Sequence, residues 1–162
     1  MIYFDIARFD VSDGICKRLG YKKIYRAGKD VVISGGVEKA PVPLIVVSKD
    51  PGVLIGAVRD NDVVGIIFEE NELTKKVVEK AAEMKKVVFL AVGQLMRIPP
   101  KERGFRVSRM RKIILASHKM GARVALVSLA DSETMLLSTM QMMEVARLLF
   151  KEPSGLFGGD VL

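Results

Sequence analysis

The sequence predicts an α/β domain in which a parallel β-sheet is covered by helices. Three observations carry that expectation. Val42–Val47, Val63–Phe68 and Val87–Val92 are apolar at almost every position, the pattern of strands buried on both faces. Other segments place apolar residues three and four apart with charges opposite, as in amphipathic helices. The two kinds alternate, and no repeat, low-complexity tract or Ser/Pro-rich linker divides the chain. Six strands are expected, arranged as an open doubly wound sheet or as a small, incomplete (β/α) barrel, because full barrels usually take about 250 residues and this chain has 162. The expected organisation is one domain over residues 1–150 and an irregular tail over 151–162.

In chain order, Ile2–Ala7 reads as a first strand and Val11–Leu19 as a weak helix that stops at Gly20. Lys23–Arg26 and Val31–Ser34 are strand-like pieces around a Gly28-Lys29-Asp30 turn. Pro43–Ser48 is a buried strand. Asp50-Pro51 supplies an N-cap and a first-turn proline for a helix running to about Arg59. Asp60-Asn61-Asp62 turns into strand Val63–Phe68. Asn71 is positioned to cap a helix over Glu72–Lys85, with Leu73, Val77, Ala81 and Met84 on one face. Strand Val87–Val92 follows. A loop containing Pro99-Pro100 then leads to a helix from Phe105 to Met120, stopped by Gly121. Strand Arg123–Leu129 precedes a polar loop, and Ser138 with Gln141 has capping-box spacing for a helix to Phe150. Its apolar stripe is Met142, Val145, Ala146 and Leu149.

Charge is concentrated. The net charge is +7, yet residues 94–123 hold nine of the 26 basic side chains and one of the 19 acids, so the rest of the chain is nearly balanced. A local excess is what a polyanionic partner needs. With Arg106 at 0° and ~100° per residue, Val107, Met110, Ile113 and Ile114 fall in an arc of roughly 120°, while Arg109, Lys112 and Lys119 share an adjacent arc of about 80°. Arg97, Lys101 and Arg103 precede this helix and Arg123 opens the next strand. Those eight residues (Arg97, Lys101, Arg103, Arg106, Arg109, Lys112, Lys119 and Arg123) are the candidate set for binding a polyanion. Phe105 is the only aromatic residue in the segment. The reading is therefore contact with a structured backbone and not a stacking platform for single-stranded bases.

Self-contained catalysis has little support. Neither G-x-G-x-x-G nor G-x-x-x-x-G-K-[ST] occurs. Cys16 and His118 are each the sole residue of their type, too few for a disulfide or a Cys- or His-built metal site; both read as structural or surface residues. Asp5 at a strand end, and Glu69-Glu70 at another, could hold a metal on paper, but a capping carboxylate and a solvated loop explain them as well. Met135, Met140, Met142 and Met143 read as core filling. No apolar run is long enough to span a bilayer, and Asp5 and Arg8 interrupt any signal-peptide pattern. The expected setting is intracellular and cytoplasmic, with no membrane partner.

The second half resembles archaeal ribonuclease P protein component 3, the thirty-kilodalton subunit family. The resemblance rests on the basic helix R-G-F-R-V-S-R-M-R-K-I-I-L-A-S-H-K-M-G-A, the strand R-V-A-L-V-S-L-A and the capped helix S-T-M-Q-M-M-E-V-A-R-L-L-F. Upstream strands fit in element order only. Family members show S-S-x-A where this chain has Ser128-Leu129-Ala130, and an arginine and a proline where it has Leu137, Ser138 and Thr139. The resemblance implies a barrel related to the polymerase and histidinol phosphatase superfamily. It also implies a subunit supporting the catalytic RNA in removing 5′ leaders from precursor tRNA, partnered by ribonuclease P RNA, precursor tRNA and protein component 2. The Mg²⁺ would sit on the RNA, with no cofactor, metal or catalytic residue on this chain. Two other readings stand beside it: a free-standing metal-dependent phosphoesterase using Asp5 and Glu69, and a protein-only interaction module.

Overall fold

The computed structural model describes residues 4–69 and 73–150. Seven strands, all paired in parallel, alternate with five helices in most of the chain: β1 (Phe4–Ala7), α1 (Asp13–Leu19), β2 (Lys23–Arg26), β3 (Val32–Ser34), β4 (Leu44–Ser48), α2 (Pro51–Arg59), β5 (Val63–Phe68), α3 (Lys75–Glu83), β6 (Val87–Ala91), α4 (Pro100–Met120), β7 (Arg123–Val127) and α5 (Thr139–Leu149). The larger sheet has the order β3-β4-β5-β6-β7, and β1-β2 form a second. A parallel bridge, Ala7 to Ala130, joins β1 to the end of β7, and another, Ala27 to Val31, joins β2 to the start of β3.

The caps form where the side chains allow. The Asp50 carboxylate accepts from Gly52 N at 2.7 Å, with Pro51 in the first turn of α2. Ser138 and Gln141 cap α5 reciprocally: Ser138 N donates to Gln141 Oε1 at 2.8 Å and Gln141 N to Ser138 Oγ at 3.3 Å. Gly20 and Gly121 end α1 and α4 in the left-handed region, at φ 84° and 74°.

Alternate strand residues feed two different cores. Leu44, Val46, Ile66, Phe68, Val88 and Leu90 face the helices and pack with Leu54 of α2, Val77 of α3, Ile113 of α4 and Met142 of α5. Ile6, Ile45, Ile67, Phe89, Val127 and Leu129 point to the opposite face and pack with one another and with Val31; this second cluster contains no helical residue. Helices thus cover one face, while the other curls upon itself around Phe89. Gly65 makes that possible: a Cβ there would lie 2.4 Å from the Val87 carbonyl oxygen and 2.5 Å from the Phe89 ring.

Several boundaries differ from expectation. Lys23–Arg26 and Val32–Ser34 are separate strands in different sheets, giving seven strands rather than six. The turn between them is fixed by Gly28 at φ 87° and by Arg26 N donating to Asp30 Oδ2 at 2.8 Å. The long basic helix begins at Pro100 instead of Phe105, because a proline at the first helical position forfeits only an N–H that has no helical partner anyway. Lys101 and Arg103 are therefore helical, not loop residues. The last strand ends at Val127, and Leu129, at φ 48°, bends the chain toward β1. The proposed Asn71 cap and the tail 151–162 lie outside the described residues, and α3 starts after Thr74, whose side chain makes no capping bond.

Candidate nucleic-acid interface

Helix α4 owes its orientation to one apolar row. Met110, Ile113, Ile114 and Ser117 are buried against the sheet and neighbouring helices, so whatever lies half a turn away faces outward. At ~100° per residue, Lys101, Lys112 and Lys119 fall within about 20° of one line opposite that row. All three are exposed, and none makes a hydrogen bond or ion pair with another described residue. At ~1.5 Å per residue they span about 27 Å of helix axis.

The arginines of the same segment are mostly engaged. Arg97 pairs with Asp131 and reaches Met135 Sδ at 2.9 Å. Arg103 Nε donates to the Ile98 carbonyl at 2.9 Å, fastening the turn that precedes α4. Arg111 donates twice to the Leu148 carbonyl, at 2.6 and 3.1 Å, tying α4 to the end of α5. Arg123 donates to the Lys85 carbonyl across the strand starts. Arg109 lies over the Phe105 ring, 4.3 Å from its centroid. Arg106 is half-buried, and its Nη1 is buried without an acceptor among the described residues. A guanidinium is a planar fork suited to carbonyls and carboxylates; an ammonium is a flexible point charge. Of the eight candidates, the structure leaves the three lysines aligned and unpaired. It sets Arg97 at the carboxyl ends of the strands and Arg123 at their amino ends.

The carboxyl ends of β6, β7 and β1 border a small cleft lined by Arg8, Gly93, Arg97, Asp131 and Met135. Both Arg8, at 3.5 Å, and Arg97 pair with Asp131. Gly93 N donates to the Ser128 carbonyl at 3.1 Å, and a Cβ on Gly93 would sit 2.1 Å from that oxygen, so only glycine lets the two strand ends meet.

Asp5 lies beneath this junction, fully buried. Its carboxylate accepts from Ile6 N at 2.8 Å, Ser128 N at 2.7 Å and Ser128 Oγ at 2.5 Å. Burial pushes its pKa up to about 6, and the three hydrogen bonds only partly oppose that rise. Tyr21 donates to the Leu137 carbonyl at 2.7 Å; burial, with the Asp5 charge close by, pushes its phenol up as well. Asp5 is thus a strand-end tie. Glu69 is exposed at the end of β5, with β6 and β7 between it and β1, so the two carboxylates imagined as a metal pair are not brought together. Among the described residues, no group of three or more His, Cys, Asp or Glu could hold a metal ion.

His118 is exposed on α4, and Cys16 is half-buried, its thiol donating to the Tyr21 carbonyl at 3.4 Å and its pKa raised by burial. The methionines divide: Met142 is in the core, while Met140 is 77% exposed and Met143 is exposed on α5. Sequence reasoning overlooked the outward projection of Phe105, 61% exposed between Lys101 and Lys112; the same helical spacing that grouped Arg109 with Lys112 would have found it. It also overlooked Arg8, whose pairing with Asp131 is set by the fold and leaves no local signal.

Fold and surface together define an all-parallel α/β protein with helices on one face of its sheet and a row of free lysines along its longest helix. No protein-family model matches the chain, and no curated protein does. One solved structure that is similar is a chain from the cryo-EM structure of archaeal ribonuclease P with mature tRNA, at 13% identity and TM-score 0.61, covering 97% of this chain and 96% of that one. Another is the crystal structure of an uncharacterized protein, at 12% identity and TM-score 0.51, covering 91% of this chain but 51% of that one. What these likenesses share with this chain is fold. No described helix is long and apolar enough to cross a membrane.

Proposed function

We propose that this chain is a protein subunit of ribonuclease P, of the component 3 type, which binds the catalytic RNA and supports removal of 5′ leaders from precursor tRNA. The observation that carries RNA binding is the row Lys101, Lys112 and Lys119, three exposed ammonium groups with no described acidic partner. Counterion release on meeting phosphates rewards charges that are not already neutralised. The fold likeness to a chain of archaeal ribonuclease P supports the choice of RNA. The curled sheet is read as a small (β/α) barrel of the polymerase and histidinol phosphatase type. Its support is the purely strand-built second core and the two bridges that link the sheets. On this reading the partners are ribonuclease P RNA, precursor tRNA and protein component 2 in the cytoplasm, and the Mg²⁺ is held by the RNA.

The decisive experiment is recovery of the tagged protein from its host with sequencing of the attached RNA. Enrichment of one structured RNA together with tRNA precursors is the expected result; recovery without RNA overturns the reading. The purified chain alone is expected not to cleave precursor tRNA. Turnover by RNA-free protein that disappears in Asp5→Asn would mean a self-contained enzyme instead.

A further inference from the structure

Phe105 is the aromatic side chain that α4 exposes amid its cations; Leu115, 68% exposed between Lys112 and Lys119, is aliphatic and has no π-face to offer. It lies one helical turn after Lys101 and two turns before Lys112, and Arg109 covers it from one side at 4.3 Å. Exposure of a phenyl ring costs free energy in water, and the Arg109 guanidinium already holds the ring in a fixed attitude by cation–π contact. With lysines before and after it, the ring faces solvent at a place where a phosphate chain would be drawn in. Charge complementarity selects the occupant: lysines on both sides of the ring call for a polyanion, and in a nucleic acid every phosphate is followed by a base with a π-face.

We infer that Phe105 and Arg109 form a stacking platform for a single unpaired nucleobase, with Lys101 and Lys112 holding the phosphates on either side. This rests on the RNA-binding reading and deepens it. One ring receives one base, so the ligand is a structured RNA carrying a bulged or loop nucleotide beside a helix. A continuous single strand would need a series of rings. Lys119, about 21 Å along the axis from Phe105 at ~1.5 Å per residue, meets the backbone of the adjoining stem.

The test uses the full chain and two probes. One is an RNA hairpin with 2-aminopurine in its loop; the other is a blunt duplex of the same stem. Wild type is expected to quench the 2-aminopurine on binding. Phe105→Ala should abolish the quench and weaken hairpin binding about tenfold, the scale of one lost base stack, while duplex affinity stays unchanged. Phe105→Trp should restore both the quench and the affinity. Because the ring is exposed, these changes leave the core intact. Equal loss on hairpin and duplex, or no loss on either, overturns the platform while leaving lysine-mediated RNA binding standing. If Phe105→Ala instead releases a co-purifying protein with hairpin binding intact, the ring is a protein anchor and the platform is refuted. If wild type binds neither RNA, the platform falls together with the RNA-binding reading.

Discussion

Two groups of cationic side chains in this molecule differ in what they can do. At the carboxyl ends of the strands, Arg8 and Arg97 share Asp131 and Arg26 is held by Asp10 at 2.6 Å, while Arg18 of α1 pairs with Glu133 beyond β7. Along α4, Lys101, Lys112 and Lys119 have no described carboxylate within reach. The first region spends its positive charge inside the molecule, stitching strand ends together; the second keeps its charge for a partner. A count of Lys and Arg measures attraction only after internally neutralised groups are set aside.

The largest effect that would break this comparison comes from the lysine row. Replacing Lys101, Lys112 and Lys119 by Ala should lower the slope of log K against log salt by about two to three, since each lost phosphate contact removes roughly 0.7–0.9. Binding titrations from low to moderate salt measure this. The control is Lys75, Lys76 and Lys80 on α3, where Lys80 is already paired with Glu83 at 2.5 Å. If the two triple variants fall equally, net charge rather than placement is responsible.

Asp5 is the extreme case among the strand-end groups: a carboxylate with hydrogen bonds but no cation. Its folded pKa of about 6 stands above the ordinary 3.8, so the folded state favours the protonated form. Its contribution to stability is complete below pH 4, falls as pH rises through about 6 and stays lost above that. Asp5→Asn keeps the acceptor for Ile6 N and Ser128 N without the charge. It should be more stable than wild type at pH 8, by on the order of 2 kcal/mol, with the advantage shrinking toward pH 4. Denaturant melts of both proteins across that range would show a constant difference if Asp5 is not the titrating group.

Arg111→Ala should cost about 1 kcal/mol by releasing the Leu148 carbonyl and leave the salt slope of RNA binding almost unchanged. A fall in slope as large as a lysine's would mean that its guanidinium faces phosphate after all. The smallest expected effect is that of Asp131→Asn, which frees Arg8 and Arg97. The salt slope should rise by less than one, detectable only beside the lysine variants.

The elements legible in the sequence were those with local causes. Asp50, Ser138 and Gln141 cap the helices their spacing announced, and the runs Val63–Phe68 and Val87–Val92, the latter as far as Ala91, became central strands because both of their faces are covered. The apolar row of α4 was also readable, and with it the outward direction of Lys112 and Lys119. Pairings made by the fold were not. Arg97 with Asp131, Arg111 with Leu148 and Arg123 with Lys85 each join residues more than thirty positions apart, and no periodicity encodes them. The start of α4 was misplaced because Pro99-Pro100 reads as a loop until one sees that the second proline occupies the first helical position.

The tie between Asp5 and Ser128 also sets an order of events during synthesis. Its partners are 123 residues apart, whereas β4 to β7 pair with strands close by in the chain. At about 5–20 residues per second, roughly 6–25 s separate the emergence of the two partners from the ribosome. Throughout that interval β1 has one unsatisfied edge and Asp5 remains hydrated and ionised. The charged Arg8 and Asp10 just beyond β1 make that waiting edge a poor template for a neighbouring nascent chain. Closure therefore waits for Ser128, and only the docking of α5 depends on residues that emerge later still.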